Sequence, residues 1–105
     1  MTDRTGGDWD ATPASRQLLD RYPGLVYRCR LDAHWTMLYA SAGARELTGY
    51  LPDELVDNRR VSYESIIHEQ DRDRVRREVE EAIAVGRDFE IVYRIETANH
   101  LVKWV

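Results

Sequence analysis

The chain has 105 residues, 43% of them hydrophobic and 32% charged, the make-up of one globular domain with a single core of modest size. Fifteen Lys and Arg against nineteen Asp and Glu give a net charge of −4, which argues against the basic face that general nucleic-acid binding needs. The longest apolar run inside a plausible helix, Ala82 to Val85, is far too short to cross a membrane.

Residues 1 to 11 are polar and contain glycine, so they read as a flexible tail without a basic-then-apolar leader. Thr12 before Pro13 predicts a helix start, a capping hydroxyl ahead of a first-turn proline, and Pro23-Gly24 ends that helix after about Arg21. Its apolar residues are few (Leu18, Leu19 and Tyr22), so it needs a surface to pack on. Leu25 to Leu31 alternates, with Leu25, Tyr27, Cys29 and Leu31 on one face and Val26, Arg28 and Arg30 on the other, which predicts a half-buried strand. Asp32-Ala33-His34 turns the chain, and Trp35 to Ala40 returns as the second strand of a hairpin.

A short helix runs to Thr48, stopped by Gly49; Pro52-Asp53-Glu54-Leu55 starts another turn, and Tyr63 to Ile67 a third. Asp71 or Asp73 then opens one long helix to about Val85, with Val75, Val79, Ala82 and Ile83 as its apolar stripe and Asp73/Arg77, Arg76/Glu80 and Arg77/Glu81 as pairs at helical spacing. Gly86 stops it. Phe89, Ile91, Tyr93 and Ile95 share one face of the next strand, Asn99-His100 forms a hairpin turn, and Leu101 to Val105 returns. The order predicts an α+β domain: an antiparallel sheet of two hairpins, with short helices and one long helix on one face. Residues 1–22 form the tail and flanking amphipathic helix, and residues 23–105 the core domain.

Trp35 through Ser41 runs directly into Ala42 through Tyr50, with Pro52-Asp53-Glu54-Leu55 following. Together with Tyr27-Arg28, Ile67-His68-Glu69-Gln70-Asp71-Arg72, Phe89 through Ile95 and Lys103-Trp104-Val105, this order resembles the PAS sensory fold from Tyr22 to Val105. It is most similar to PAS modules that precede diguanylate cyclase or histidine kinase domains in bacterial signalling proteins. The resemblance implies a sensory and dimerisation module that passes a signal to an output domain outside this chain; the alternative is a ligand-free scaffold for self-association. It departs from the family in having Glu69 after His68 where proline is frequent, and Asn99-His100 where Asp-Gly is frequent. It also implies a fifth strand, last in sequence and central in the sheet, which the sequence to Val105 does not supply; either the chain is a fragment, or the sheet closes differently, or another chain fills the gap.

Tyr27, Met37, Tyr39, Ile67, Tyr93 and Trp104, with Val79 and Ile83, are expected to face the helices, where PAS relatives place a small ligand. They read as a packed core first and as a small cavity second. Val26, Leu38 and Val92 are expected on the outer face among Arg28, Arg30, Arg94 and Lys103. The helix bearing Leu18, Leu19 and Tyr22 is their natural cover, in the same chain or across a homodimer.

No cofactor is expected. The Asn-Cys-Arg motif of flavin-binding PAS relatives is absent, and Arg72 to Val85 lacks the histidine of the haem-binding ones; an unidentified small ligand stays open. His68, Glu69, Asp71 and Asp73 read as a helix start rather than a metal site, and His34 and His100 as turn residues. Cys29 reads as a small core residue, and as the one cysteine it fits a cytoplasmic protein. No nucleophile–base pair or phosphate loop is visible, so the chain is not expected to be an enzyme.

Overall fold

The structure, a computed structural model, describes residues 2–3 and 13–105. Thr12 and most of the expected tail lie outside the described residues. In chain order the elements are β1 (Thr2–Asp3), α1 (Pro13–Asp20), β2 (Tyr27–Cys29), β3 (Met37–Ala40), α2 (Gly43–Thr48), α3 (Pro52–Leu55), α4 (Tyr63–Ile66), a 3-10 turn (Glu69–Asp71), α5 (Arg72–Ala84), β4 (Phe89–Glu90), β5 (Arg94–Glu96) and β6 (Val102–Trp104). The α+β class is as the sequence predicts and two hairpins form, but the single strand expected over residues 89–96 is broken at 91–93 into β4, which pairs with β1, and β5, which pairs with β6. The strands form three antiparallel ladders, β1–β4, β2–β3 and β5–β6, and among the described residues no strand joins the two hairpins. The β1–β4 pair, Thr2 opposite Glu90, has no counterpart in the sequence reading.

The first hairpin is shorter than its alternation suggests. Asp32 takes the turn by accepting the N–H groups of His34 (3.1 Å) and Thr36 (3.0 Å) and the Thr36 hydroxyl (2.7 Å). Those bonds hold the Asp32 carboxyl below the usual carboxylate range, the Thr36 hydroxyl contributing most. Trp35 then has φ 53°, so it ends the turn rather than starting a strand, and β3 begins at Met37.

Two close backbone approaches explain the glycines around α2. Gly49 takes φ 80° and donates its N–H to Arg45 O at 2.9 Å, closing the helix where the Leu-Thr-Gly-Tyr sequence predicts. At Gly43 a Cβ would stand 1.8 Å from the Gly24 carbonyl oxygen, so the Pro23-Gly24 turn can rest on α2 only if Gly43 has no side chain.

In α5, Val75, Val79 and Ala82 are buried and Ile83 half-buried, the stripe the periodicity predicts. Its charges are used differently. Arg76 reaches out of the helix to Glu64 (3.3 Å) and lays its guanidinium 4.3 Å from the centre of the Trp35 ring. Asp71 precedes α5 but makes no capping bond to it; its carboxylate turns to Arg94.

The second hairpin corrects the expected faces. Its register is Arg94 opposite Trp104, Ile95 opposite Lys103 and Glu96 opposite Val102, with Tyr93 and Val105 exchanging backbone bonds at 3.1 and 2.9 Å. The connecting loop is therefore residues 98–100, with φ 63° at His100. A two-residue turn at Asn99-His100 would instead set Trp104 opposite Ile95. The extra loop residue moves every side chain of β6 to the other face. Trp104 thus points outward, 67% exposed, while Lys103 points inward and donates to the carbonyls of Glu46 (3.2 Å) and Leu47 (3.3 Å) at the end of α2.

One core lies between the hairpins and the helices, built from Met37, Leu55, Tyr63, Ile66, Ile67, Val75, Val79, Tyr93 and Ile95 among others. Two buried hydroxyls in it are bonded. Ser41 Oγ accepts from the Val26 N–H at 2.9 Å, and Thr48 Oγ1 donates to Ala44 O at 2.7 Å.

Candidate functional site

Strand β5 and the residues leading into it separate two surfaces, an inner tyrosine cluster and an outer apolar face. On the inner side, Tyr93 is fully buried and its hydroxyl meets that of Tyr63 at 2.6 Å. Ser62 starts α4 by accepting the Ser65 N–H, and this places Tyr63 at the first position of the helix, pointing into the core. The Tyr27 ring lies against Tyr63, centroids 6.2 Å apart and planes 24° from parallel. Burial pushes the Tyr63 phenol up to about 12, its bond to Tyr93 working against the shift. Burial raises Tyr93 as well, reinforced by the proximity of Tyr63. Both hydroxyls are therefore protonated at neutral pH, and the cluster is a hydrogen-bonded neutral network.

Of the expected pocket residues, Met37, Ile67 and Tyr93 are buried in this core, Tyr27 is half-buried against it, and Tyr39 is half-buried. Trp104 stands on the other face, and Val105 packs where it was expected. Tyr63 was not among the expected residues. Its only sequence signal is a serine start one residue before it, which fixes a helix but not a partner.

A surface cleft of about 160 Å³ opens elsewhere, lined by Tyr50, Val61, Ser65, Ile66, Glu96, Thr97 and His100. It shares no residue with the expected pocket. Among the described residues, the buried Trp35 Nε1 and Asn58 Oδ1 have no hydrogen-bond partner. Among the described residues no group of three or more His, Cys, Asp or Glu side chains is arranged to hold a metal. His68 serves locally, its Nδ1 accepting the Gln70 N–H at 3.2 Å.

On the outer side, Val92 (61%), Val102 (56%) and Trp104 (67%) are exposed on the second hairpin, and Leu38 (37%) on the first. Helix α1 does not cover them. Its last residue, Asp20, accepts the Ala42 N–H at 2.8 Å at the start of α2, while Leu18 and Tyr22 remain exposed. Leu19 and Val26 are half-buried.

Arg94 belongs to both surfaces. Asp71, nearly buried, accepts three bonds from it: from the backbone N–H (2.9 Å), Nε (3.0 Å) and a terminal nitrogen (2.7 Å). The Arg94 guanidinium holds the Asp71 carboxyl far below the usual carboxylate range, and Asp71 raises Arg94 in turn. The guanidinium also lies 5.5 Å from the centre of the Trp104 ring.

Hairpin, short helices, long helix, hairpin, with buried residues facing the helices, is the arrangement the sequence resemblance implies. Residues 37–105 match the family model described as the PAS fold. The chain belongs to the PAS family. Its PAS domain is also 35% identical over 82 residues to a methyl sulfide methyltransferase-associated sensor from Methanosarcina acetivorans, a match covering 77% of the chain and 8% of that relative. The chain therefore spans a small part of that protein's length. The matched PAS segment begins at β3, so α1 and β2 lie ahead of it. Among the described residues no helix of the PAS domain is long and apolar enough to cross a membrane.

Proposed function

We propose that this PAS domain is a cytoplasmic sensory module that self-associates through its outer sheet face and passes the resulting change to an output domain of diguanylate cyclase or histidine kinase type. The chemistry would be a shift of packing and not bond-making. The observation that carries self-association is the pair of unmatched apolar surfaces. Val92, Val102 and Trp104 are exposed on the sheet, and Leu18 and Tyr22 are exposed on α1 of the same chain. A second copy satisfies both at once, α1 of each crossing the sheet of the other, as an isologous two-fold contact requires. The sensory part is supported by the relative named as a sensor.

The closed inner face favours a second reading, a ligand-free scaffold. Met37, Ile67 and Tyr93 are buried, and the Tyr63 and Tyr93 hydroxyls are bonded to each other. Sedimentation equilibrium of the chain and of Trp104→Glu tests the association. A dimer that the variant converts to monomer is expected; a mass indifferent to the substitution refutes the outer face. Native mass spectrometry separates the two readings. A small molecule released from the folded protein supports sensing, and a bare protein mass supports the scaffold.

A further inference from the structure

We infer that Arg94 is a positioning residue that couples the outer-face indole of Trp104 to the start of α5, so that the two move as one unit. Three contacts made by successive turns of chain grip the strand from the helix side. The His68 N–H donates to Arg94 O at 2.9 Å, Asp71 takes the backbone and guanidinium of Arg94, and a terminal nitrogen of Arg74 donates to Val92 O at 2.9 Å. Asp71 gives up capping its own helix to do this, since its side chain makes no capping bond to α5. Gln70 Oε1 takes another Arg94 donor at 3.3 Å. The planar guanidinium is thereby fixed, and what it offers outward is its contact with Trp104 at 5.5 Å. A displacement of the Asp71 end must move the guanidinium over the indole, and a displacement of the indole must alter the clasp.

The consequence for the proposed dimer rests on the reading of the outer face given above. A second copy laid over Trp104 would remove the water that now screens the half-exposed guanidinium. Attraction to Asp71 and to the indole both strengthen as water leaves. By reciprocity, whatever shifts the start of α5 changes the affinity of the outer face by the same factor.

The test uses the whole chain at a dilution where it is monomeric, with Asp71→Asn, Trp104→Ala and the double variant. In Asp71→Asn the indole N–H resonance of Trp104, assigned by its loss in Trp104→Ala, is expected to shift. The Trp35 indole signal should stay in place. In urea unfolding, the double variant is expected to retain a folding constant at least about threefold above the product of the single effects. An unmoved Trp104 signal, together with effects that multiply to within about twofold, overturns the coupling. Should Asp71→Asn fail to fold, Arg94→Lys keeps the charge but loses the bidentate grip and carries the same cycle. A chain that stays monomeric at every concentration refutes the dimer, and the cycle then still decides the coupling.

Discussion

On the inner face around β5, Tyr93 and Ile95 are fully buried, and the polar atom that goes in with them is bonded to Tyr63. On the outer face of the same residues, Val92 and Trp104 are more than half exposed, and the Arg94 guanidinium over the Trp104 ring is held from behind by Asp71. The inner face is closed by the described residues, whereas the outer one is shaped by them and covered by none of them. Alternating side chains along β5 and the residues leading into it thus separate what stabilises the domain from what is free to meet a partner.

The contrast breaks first if the inner face proves dispensable. Ile95→Ala removes a fully buried side chain from the centre of the core and is expected to cost about 3–4 kcal/mol, read as a lower urea midpoint at unchanged slope. A loss under about 1 kcal/mol would mean that this face is loosely packed.

How far these faces could be read from sequence depends on the residue. The alternation of Phe89, Ile91, Tyr93 and Ile95 gives the buried face of that segment correctly, because period-two burial is a local property, but not the break at residues 91–93 that divides it into β4 and β5. Trp104 went to the wrong face because its side depends on the length of the loop at 98–100, and a single extra residue inverts a strand. Asp71 was legible as a residue near a helix start but not as the partner of Arg94, 23 positions away, since ion-pair choice is settled only by tertiary proximity. The same holds for Arg76, whose spacing suggested Glu80 and whose partner is Glu64. Tyr63 carried no signal beyond its helix, and its pairing with Tyr93 emerges only when α4 packs on the sheet.

Asp71 sharpens the comparison, because it is an inner residue that holds an outer one. Its folded-state carboxyl titrates well below the usual aspartate value of about 3.9, so the bond contributes fully above that pH. The contribution is lost as pH falls below about 4 toward the folded-state value. Asp71→Asn should lower stability by about 2 kcal/mol near pH 7 and leave a shallower decline below pH 4 than in the parent protein. Urea midpoints measured from pH 7 down to pH 3 check both. Parallel acid limbs in the two proteins would count against the clasp.

Tyr63→Phe probes the inner network more gently. The ring and its stacking on Tyr27 remain, and only the 2.6 Å bond to Tyr93 is removed. A loss of about 1 kcal/mol is expected, and adding Tyr93→Phe should cost less than a second such loss because the bond is already gone. Strictly additive single effects would show that the two hydroxyls act independently.

The smallest effect is expected outside. Val92 is 61% exposed, and its carbonyl, not its side chain, receives Arg74. Val92→Ser therefore leaves the backbone bond and the core untouched, and monomer stability should stay within about 0.5 kcal/mol of the parent. If the outer face is a contact surface, the same substitution removes apolar area from its centre and weakens self-association, measurable as a higher dissociation constant by sedimentation. The two readouts separate the faces: a residue that matters to association and not to folding belongs to the outer surface. Equal loss in both would place Val92 in the core, and the division of labour across β5 would fail.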